Sequence, residues 1–231
     1  MHCLFSLLPL ILLLVAGGWG ALLKNKCKFK PAKHRLLPYS KNQGLALELA
    51  PCAEFVEVIL GGKDTEVGRE NHDTAIRFQN YDFVFIPLYV LFFVVTAWVL
   101  RGVSSATMLT MLLAIVTGIF DYLEDLAIIS IVTNPDGWKP LRLGQLKWLF
   151  YFLTLAAEGA LFFTYAGSRA PAIEGMIFGA LLILTAAAGV GAAAFRSKPK
   201  FSFKPSFNGI TIITAVSQVA LLALALAPLL S

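Results

Sequence analysis

Five carboxylates in this chain stand in or beside runs of apolar residues: Asp82, Asp121, Glu124, Asp125 and Glu158. A charged side chain at the centre of a bilayer costs at least about 2.5 kcal/mol, so it turns toward the protein interior and needs a companion. No Lys or Arg lies within the same apolar runs. The pattern predicts that something other than a basic side chain compensates these acids. Carboxylates crowded in a low dielectric either keep protons or hold a cation. An all-oxygen set suits hard divalent ions such as Mg²⁺, Ca²⁺ or Mn²⁺. Asp82, Asp121, Glu124 and Asp125 are therefore the candidate metal ligands. Tyr89 and Glu158 are candidates for hydrogen-bonding a ligand or holding a proton. A purely structural account stands beside this one. Asp82 at the start of its apolar run would cap a helix dipole, Asp125 would reach interfacial water, and Glu158 would sit protonated against a Tyr or Thr.

The elements that must position these groups are membrane helices. The chain is 58% hydrophobic and only 14% charged, whereas soluble domains carry about 25% charged residues. A span needs roughly 20 apolar residues, and such runs fall at 4–23, 83–100, 106–132, 148–166, 173–195 and 209–230. The expected fold is all-α, a polytopic transmembrane bundle of six spans. It becomes five if the first run is a cleaved signal ending near Ala16-Gly17-Gly18. No basic residue precedes that run, whereas Lys24, Lys26, Lys28, Lys30 and others follow it, which favours a retained helix. The expected organisation is a first helix or signal anchor at 1–23, a basic cytoplasmic segment at 24–81, and a five-helix bundle at 82–231. Placing 24–81 inside puts every Lys and Arg except Arg101 and Arg169 on the cytoplasmic side. Both termini are then non-cytoplasmic.

Within 24–81, residues 45–60 mix apolar positions with Glu48, Glu54 and Glu57. They predict a short amphipathic helix that starts near Pro51, buries Phe55, Val58 and Ile59, and ends at Gly61-Gly62. Helical spacing also draws polar stripes on the spans: Asp82, Tyr89 and Thr96 on the second, and Thr110, Ala114, Thr117, Gly118, Asp121, Glu124 and Asp125 on the third. Thr154, Glu158 and Tyr165 mark the fourth, and Thr211, Thr214 and Gln218 the sixth. Such stripes predict a hydrated or ligand-holding interior. At 1.5 Å per residue, Asp121 lies about 22 Å from the outer end of its span, level with Asp82, and Glu158 lies nearer mid-bilayer. Gly175 and Gly179 offer a small-residue face for helix packing within the chain or between copies in a homo-oligomer.

Other chemistries lack their residues. Basic side chains flank apolar runs and do not interleave with aromatics, so membrane lipids are the expected partner and nucleic acid is not. Cys3, Cys27 and Cys52 form no CxxC pair, and His2, His34 and His72 form no cluster, which leaves no zinc site or disulfide framework. Neither the paired aspartate-rich motifs of membrane prenyltransferases nor Asp-x-x-Asp-Gly, Gly-x-Ser-x-Gly, His-Glu-x-x-His or P-loop motifs occur.

Three stretches bear a resemblance: Glu48-Leu49-Ala50 with Ile59-Leu60, Tyr81-Asp82-Phe83 with Tyr89, and Asp121-x-x-Glu124-Asp125-x-Ala127. Over residues 45–130 the chain resembles uncharacterised bacterial multi-pass membrane proteins with a Leu-Asp-Phe…Tyr and an Asp-x-x-Glu-Asn signature. Asp125 stands where those proteins have Asn. The resemblance implies a bacterial inner-membrane setting and brings no activity with it. Three functions remain in view. One is a protein that handles a cation, proton or small molecule through an intramembrane acidic cluster. The second is a metal-dependent lipid-modifying enzyme of the cytoplasmic leaflet, and the third a scaffold or assembly factor with no catalytic site.

Overall fold

The computed structural model describes residues 2–30, 43–48, 50, 52–101, 104–166, 177 and 179–187. Regular structure among them is all helical, with no strand. The elements are α1 (His2–Lys26), α2 (Gln43–Leu47), α3 (Ala53–Leu60), α4 (Glu66–Arg101), α5 (Ser105–Thr133) and α6 (Leu141–Ala166), and residues 179–187 are helical too. Among the described residues three helices are long and apolar enough to cross a membrane: Glu66–Leu100, Ser105–Thr133 and Leu141–Phe163. Leu7–Leu23 is a shorter apolar helix. Length and composition make this a membrane protein. The sixth expected span, with Thr211, Thr214 and Gln218, and also Gly175, lie outside the described residues.

The helix starts follow from local chemistry. Thr65 opens α4: its Oγ1 accepts from the Gly68 N–H at 3.0 Å, and Glu66 places an acid in the first turn, where the helix dipole favours it. Ser104 opens α5 in the same way, accepting from the Thr107 N–H at 3.1 Å. At α6 the Pro140 carbonyl receives the Gly144 N–H at 2.9 Å, with proline immediately before the first turn, where its missing N–H costs no helical hydrogen bond. The amphipathic stretch is two short helices rather than one. In α3 the buried side chains are Val56, Ile59 and Leu60, and Val58 is exposed, so the buried face is one position off the expected one. Gly61 ends α3 as anticipated. Its φ of 89° suits glycine, and its N–H donates to the Glu57 carbonyl at 2.7 Å.

The large exposed side chains of α5 include Met108, Leu112, Ile115, Ile119 and Tyr122, spaced four and three apart along one face. The expected polar stripe, Thr110, Ala114, Thr117, Asp121, Glu124 and Asp125, is buried. Apolar outside and polar inside is the arrangement a lipid solvent demands.

The chain forms two compact units. One gathers Met1–Ala16, Leu88–Thr117 and Trp148–Ser231, around a core that includes Phe92, Phe93, Phe152, Leu155 and Phe162. Here the threonine stripes account for themselves. Thr96, Thr110, Thr117 and Thr154 each donate to the carbonyl four residues back, on Phe92, Ala106, Leu113 and Phe150. Hydroxyls satisfied by their own helix need no water, so these stripes do not require the hydrated interior that their pattern suggested. Gly179 packs within the chain: a Cβ there would fall 2.9 Å from the Gly159 carbonyl oxygen.

The other unit comprises Gly17–Pro87 and Gly118–Lys147. Trp19 on α1 donates its indole N–H to the Tyr81 carbonyl of α4 at 2.9 Å. Asn71 of α4 is a hub. Its amide nitrogen donates to Leu60 at 2.8 Å and Lys30 at 3.0 Å, and its oxygen accepts from the Lys30 N–H at 2.8 Å. Lys63 donates to the Thr133 carbonyl at 3.3 Å, which ties the start of α4 to the end of α5. This second unit contains the candidate site.

Candidate functional site

Asp82 is not a helix cap. Because α4 starts at Glu66, Asp82 lies several turns inside it, and its backbone N–H has no need of a capping acid. On α5, Asp121, Glu124 and Asp125 occupy adjacent positions around one face. Next to the acids, Phe83 of α4 meets Tyr122 of α5 with ring centroids 4.7 Å apart. That contact sets Asp82 and Asp121 at the same level.

The acids converge. Asp82, Asp121 and Asp125 each offer a carboxylate oxygen, and the three oxygens lie within 4.8 Å of one another. Asp82 is half-buried, while Asp121 is 6% exposed, Asp125 1% and Glu124 0%. One oxygen of Asp125 has no hydrogen-bond partner among the described residues.

The expectation that no basic side chain accompanies these acids is overturned. Lys147, placed by its position in a loop before the fourth apolar run, belongs to α6 and is only 7% exposed. Its ammonium lies 3.0 Å from Asp121 Oδ1 and 3.0 Å from Glu48 Oε2, and it also pairs with Glu124 Oε2. An ammonium has three protons to donate. Lys147 meets three carboxylates, so its donors are matched. Glu48 is the second residue that sequence reasoning left off the site. It follows α2, on a segment read as a short amphipathic helix, and its ion pair binds that segment to α6.

A glycine makes this approach feasible. A Cβ at Gly144 would collide with Glu124 Oε1 and lie 2.6 Å from the Glu48 carbonyl oxygen. The chain brings Glu48 and Glu124 onto α6 where α6 has no side chain.

Tyr89 and Glu158 belong to the first unit, not to the one holding the acids. The Tyr89 ring stands edge-on to Phe93, centroids 6.4 Å apart. Glu158 is 0% exposed, and neither of its carboxylate oxygens has a hydrogen-bond partner among the described residues. Cys27 is buried. Burial pushes its thiol up against the opposing pull of Arg77, so it behaves as a small apolar side chain rather than a modification site.

Chemically, the arrangement separates into two parts. Lys147 pairs with and positions Glu48, Glu124 and one oxygen of Asp121. Asp82, Asp121 and Asp125 bring three carboxylate oxygens together beside it. Oxygens up to about 4.8 Å apart match opposite ligands of a Ca²⁺-sized ion at about 2.4 Å, and smaller separations suit Mg²⁺ or Mn²⁺ at about 2.1 Å. The chain matches no family model, no curated protein and no solved structure.

Proposed function

We propose that this protein is a multi-pass inner-membrane protein that handles a divalent cation, with Asp82, Asp121 and Asp125 as the ion's ligands. The observation that supports it is the convergence of three carboxylate oxygens within 4.8 Å beside a lysine whose donors are already matched. Glu48, Asp121 and Glu124 pair with one ammonium, and Asp82 and Asp125 join Asp121 beside it. A hard divalent cation offsets part of the excess negative charge on these acids. Glu124 is read here as a tether for Lys147, and Glu48 likewise.

Protons compete with the ion for the same oxygens, because a carboxylate must be deprotonated to ligate. Cation binding therefore releases protons, and affinity falls as pH is lowered. That exchange is what an ion- or proton-handling role uses. Tyr89 and Glu158 belong to the other unit and are not proposed as ligands of the ion.

The experiment is Mn²⁺ titration of the purified full chain in detergent, followed by electron paramagnetic resonance. One bound Mn²⁺ per chain is expected. Asp125→Asn and Asp82→Asn are each expected to weaken binding by more than the 10–100-fold that loss of an outer-shell partner costs. Binding that is unaltered in both variants would remove the acids as ligands.

A further inference from the structure

We infer that Gln79 is a fourth ligand of the cation site, supplying a neutral amide oxygen to a hard divalent ion. The inference rests on the proposed cation site and adds a residue that the acidic pattern does not reveal. Gln79 is 1% exposed, and neither its amide oxygen nor its amide nitrogen has a hydrogen-bond partner among the described residues. Buried amides are almost always partnered, because an unpaired one loses its water without replacement. A long polar side chain left so in a helix interior marks a place where something else binds.

Helical geometry says where that place is. Ala75, Gln79, Asp82 and Ile86 follow one another at spacings of four, three and four along α4. Ala75 and Ile86 are buried, so this stripe faces inward. Gln79 and Asp82 are therefore neighbours on one face, with Cβ atoms about 5–6 Å apart. The glutamine side chain is long enough to bring its oxygen beside the Asp82 carboxylate. Asp125, itself 1% exposed, brings one carboxylate oxygen to the same cluster, and one of its oxygens has no hydrogen-bond partner among the described residues. Two buried side chains on two different helices, Gln79 of α4 and Asp125 of α5, thus carry unpartnered polar atoms, and Asp82 is the helical neighbour of the first and the cluster partner of the second.

The chemistry suits a particular ligand class. Carboxylates and amide carbonyls together are the donor set of hard cations. A neutral fourth oxygen raises the coordination number without adding charge to a site already rich in carboxylates. A transition ion that prefers nitrogen or sulfur gains nothing from it.

The test uses the full chain in detergent, with Mn²⁺ as the probe, and two variants. Gln79→Leu removes the amide, and Gln79→Glu keeps an oxygen at the same reach. The expected result is that Gln79→Leu binds Mn²⁺ at least tenfold more weakly while Gln79→Glu retains binding. Gln79→Leu should also melt at a higher temperature than the wild type without Mn²⁺, since it relieves two unsatisfied groups, and should lose the Mn²⁺-dependent rise. If Gln79→Leu does not fold, Gln79→Met serves in its place, having similar length and no oxygen. Equal Mn²⁺ affinity in wild type and Gln79→Leu overturns the role of Gln79 and leaves the acidic site standing. A lower melting temperature for ion-free Gln79→Leu also overturns it, because the amide then has a structural partner. A wild type that binds no Mn²⁺ overturns the cation site, and this inference with it.

Discussion

At the scale of single residues, Lys147 changes what the acids mean. Asp121, Glu124 and Glu48 share one ammonium that is almost wholly shielded from solvent, and each partner depends on it. Taking one member from a buried ion network leaves uncompensated charge, at a cost of about 3–5 kcal/mol. Lys147→Met is expected to lose stability of that order, measured by thermal or denaturant unfolding in mild detergent. Adding Glu48→Gln and Glu124→Gln removes charges together with their partner and should restore most of the loss. Equal stability of Lys147→Met and wild type would show that the ion pairs contribute nothing. The sequence made the acids conspicuous because a carboxylate beside Phe83 or among Ile119, Phe120 and Leu126 has no ordinary reason to be there. Lys147 was inconspicuous because it sits one residue before Trp148, where an apolar run starts and a basic residue is the usual membrane flank. A signal was nonetheless present. Stepping back from Glu158 through Thr154 and Tyr151 by fours and threes reaches Lys147 and then Gly144, which places the lysine on the same stripe. Gln79 escaped for a similar reason, since it precedes the apolar run of α4 and carries no charge.

At the scale of elements, helix onsets decide what the acids can do. The apolar run alone starts α4 near residue 83, but the Thr65 cap and the helix-compatible residues after it extend the helix back to Glu66. Hydrophobicity reports where lipid begins, not where the hydrogen-bond ladder begins, and the two differ here by more than four turns. That difference turns Asp82 from a cap into an interior side chain. The segment around Glu48 was legible as amphipathic, but not its docking partner, because contact with α6 depends on a missing side chain at Gly144. Gly144→Ala should expose that dependence. Its methyl group meets the Glu48 backbone carbonyl, which cannot rotate away as a side chain can, and overpacking of this kind costs about 1–3 kcal/mol. Alanine's helical advantage over glycine, about 1 kcal/mol, offsets only part of it. Gly17→Ala in α1 is the control. A Cβ there meets nothing within 4 Å, so the same change should be neutral or stabilising. If the two variants unfold alike, the close approach at Gly144 has no energetic weight.

At the scale of the whole molecule, the question is how many times the chain crosses the bilayer. The six-span proposal requires residues 24–81 and the α5–α6 connection to share one side of the membrane. Two contacts support this. Lys63 donates to the Thr133 carbonyl at 3.3 Å, and the ring nitrogens of His72 lie 3.2 Å from the Gly61 carbonyl oxygen and 3.4 Å from that of Val132. Residues in contact at the start of α4 and the end of α5 lie on the same side, so those two helices cross an even number of times between them. In the six-span proposal Lys30, Lys63 and Arg69 then share a side with Lys139 and Arg142, as the charge rule for cytoplasmic loops expects. A retained first helix puts the C-terminus outside after six crossings, whereas a cleaved first run exports 24–81, inverts every later helix and brings the C-terminus inside. Reporter fusions in a bacterial host separate the two. Alkaline phosphatase, active only when exported, should be active when fused after Ser231 and inactive when fused after Lys139, with a cytoplasmic fluorescent reporter giving the reverse. Swapped activities would mean that the first run is a cleaved signal. The acids would then face the opposite compartment, and the cation would be drawn from the other side of the membrane.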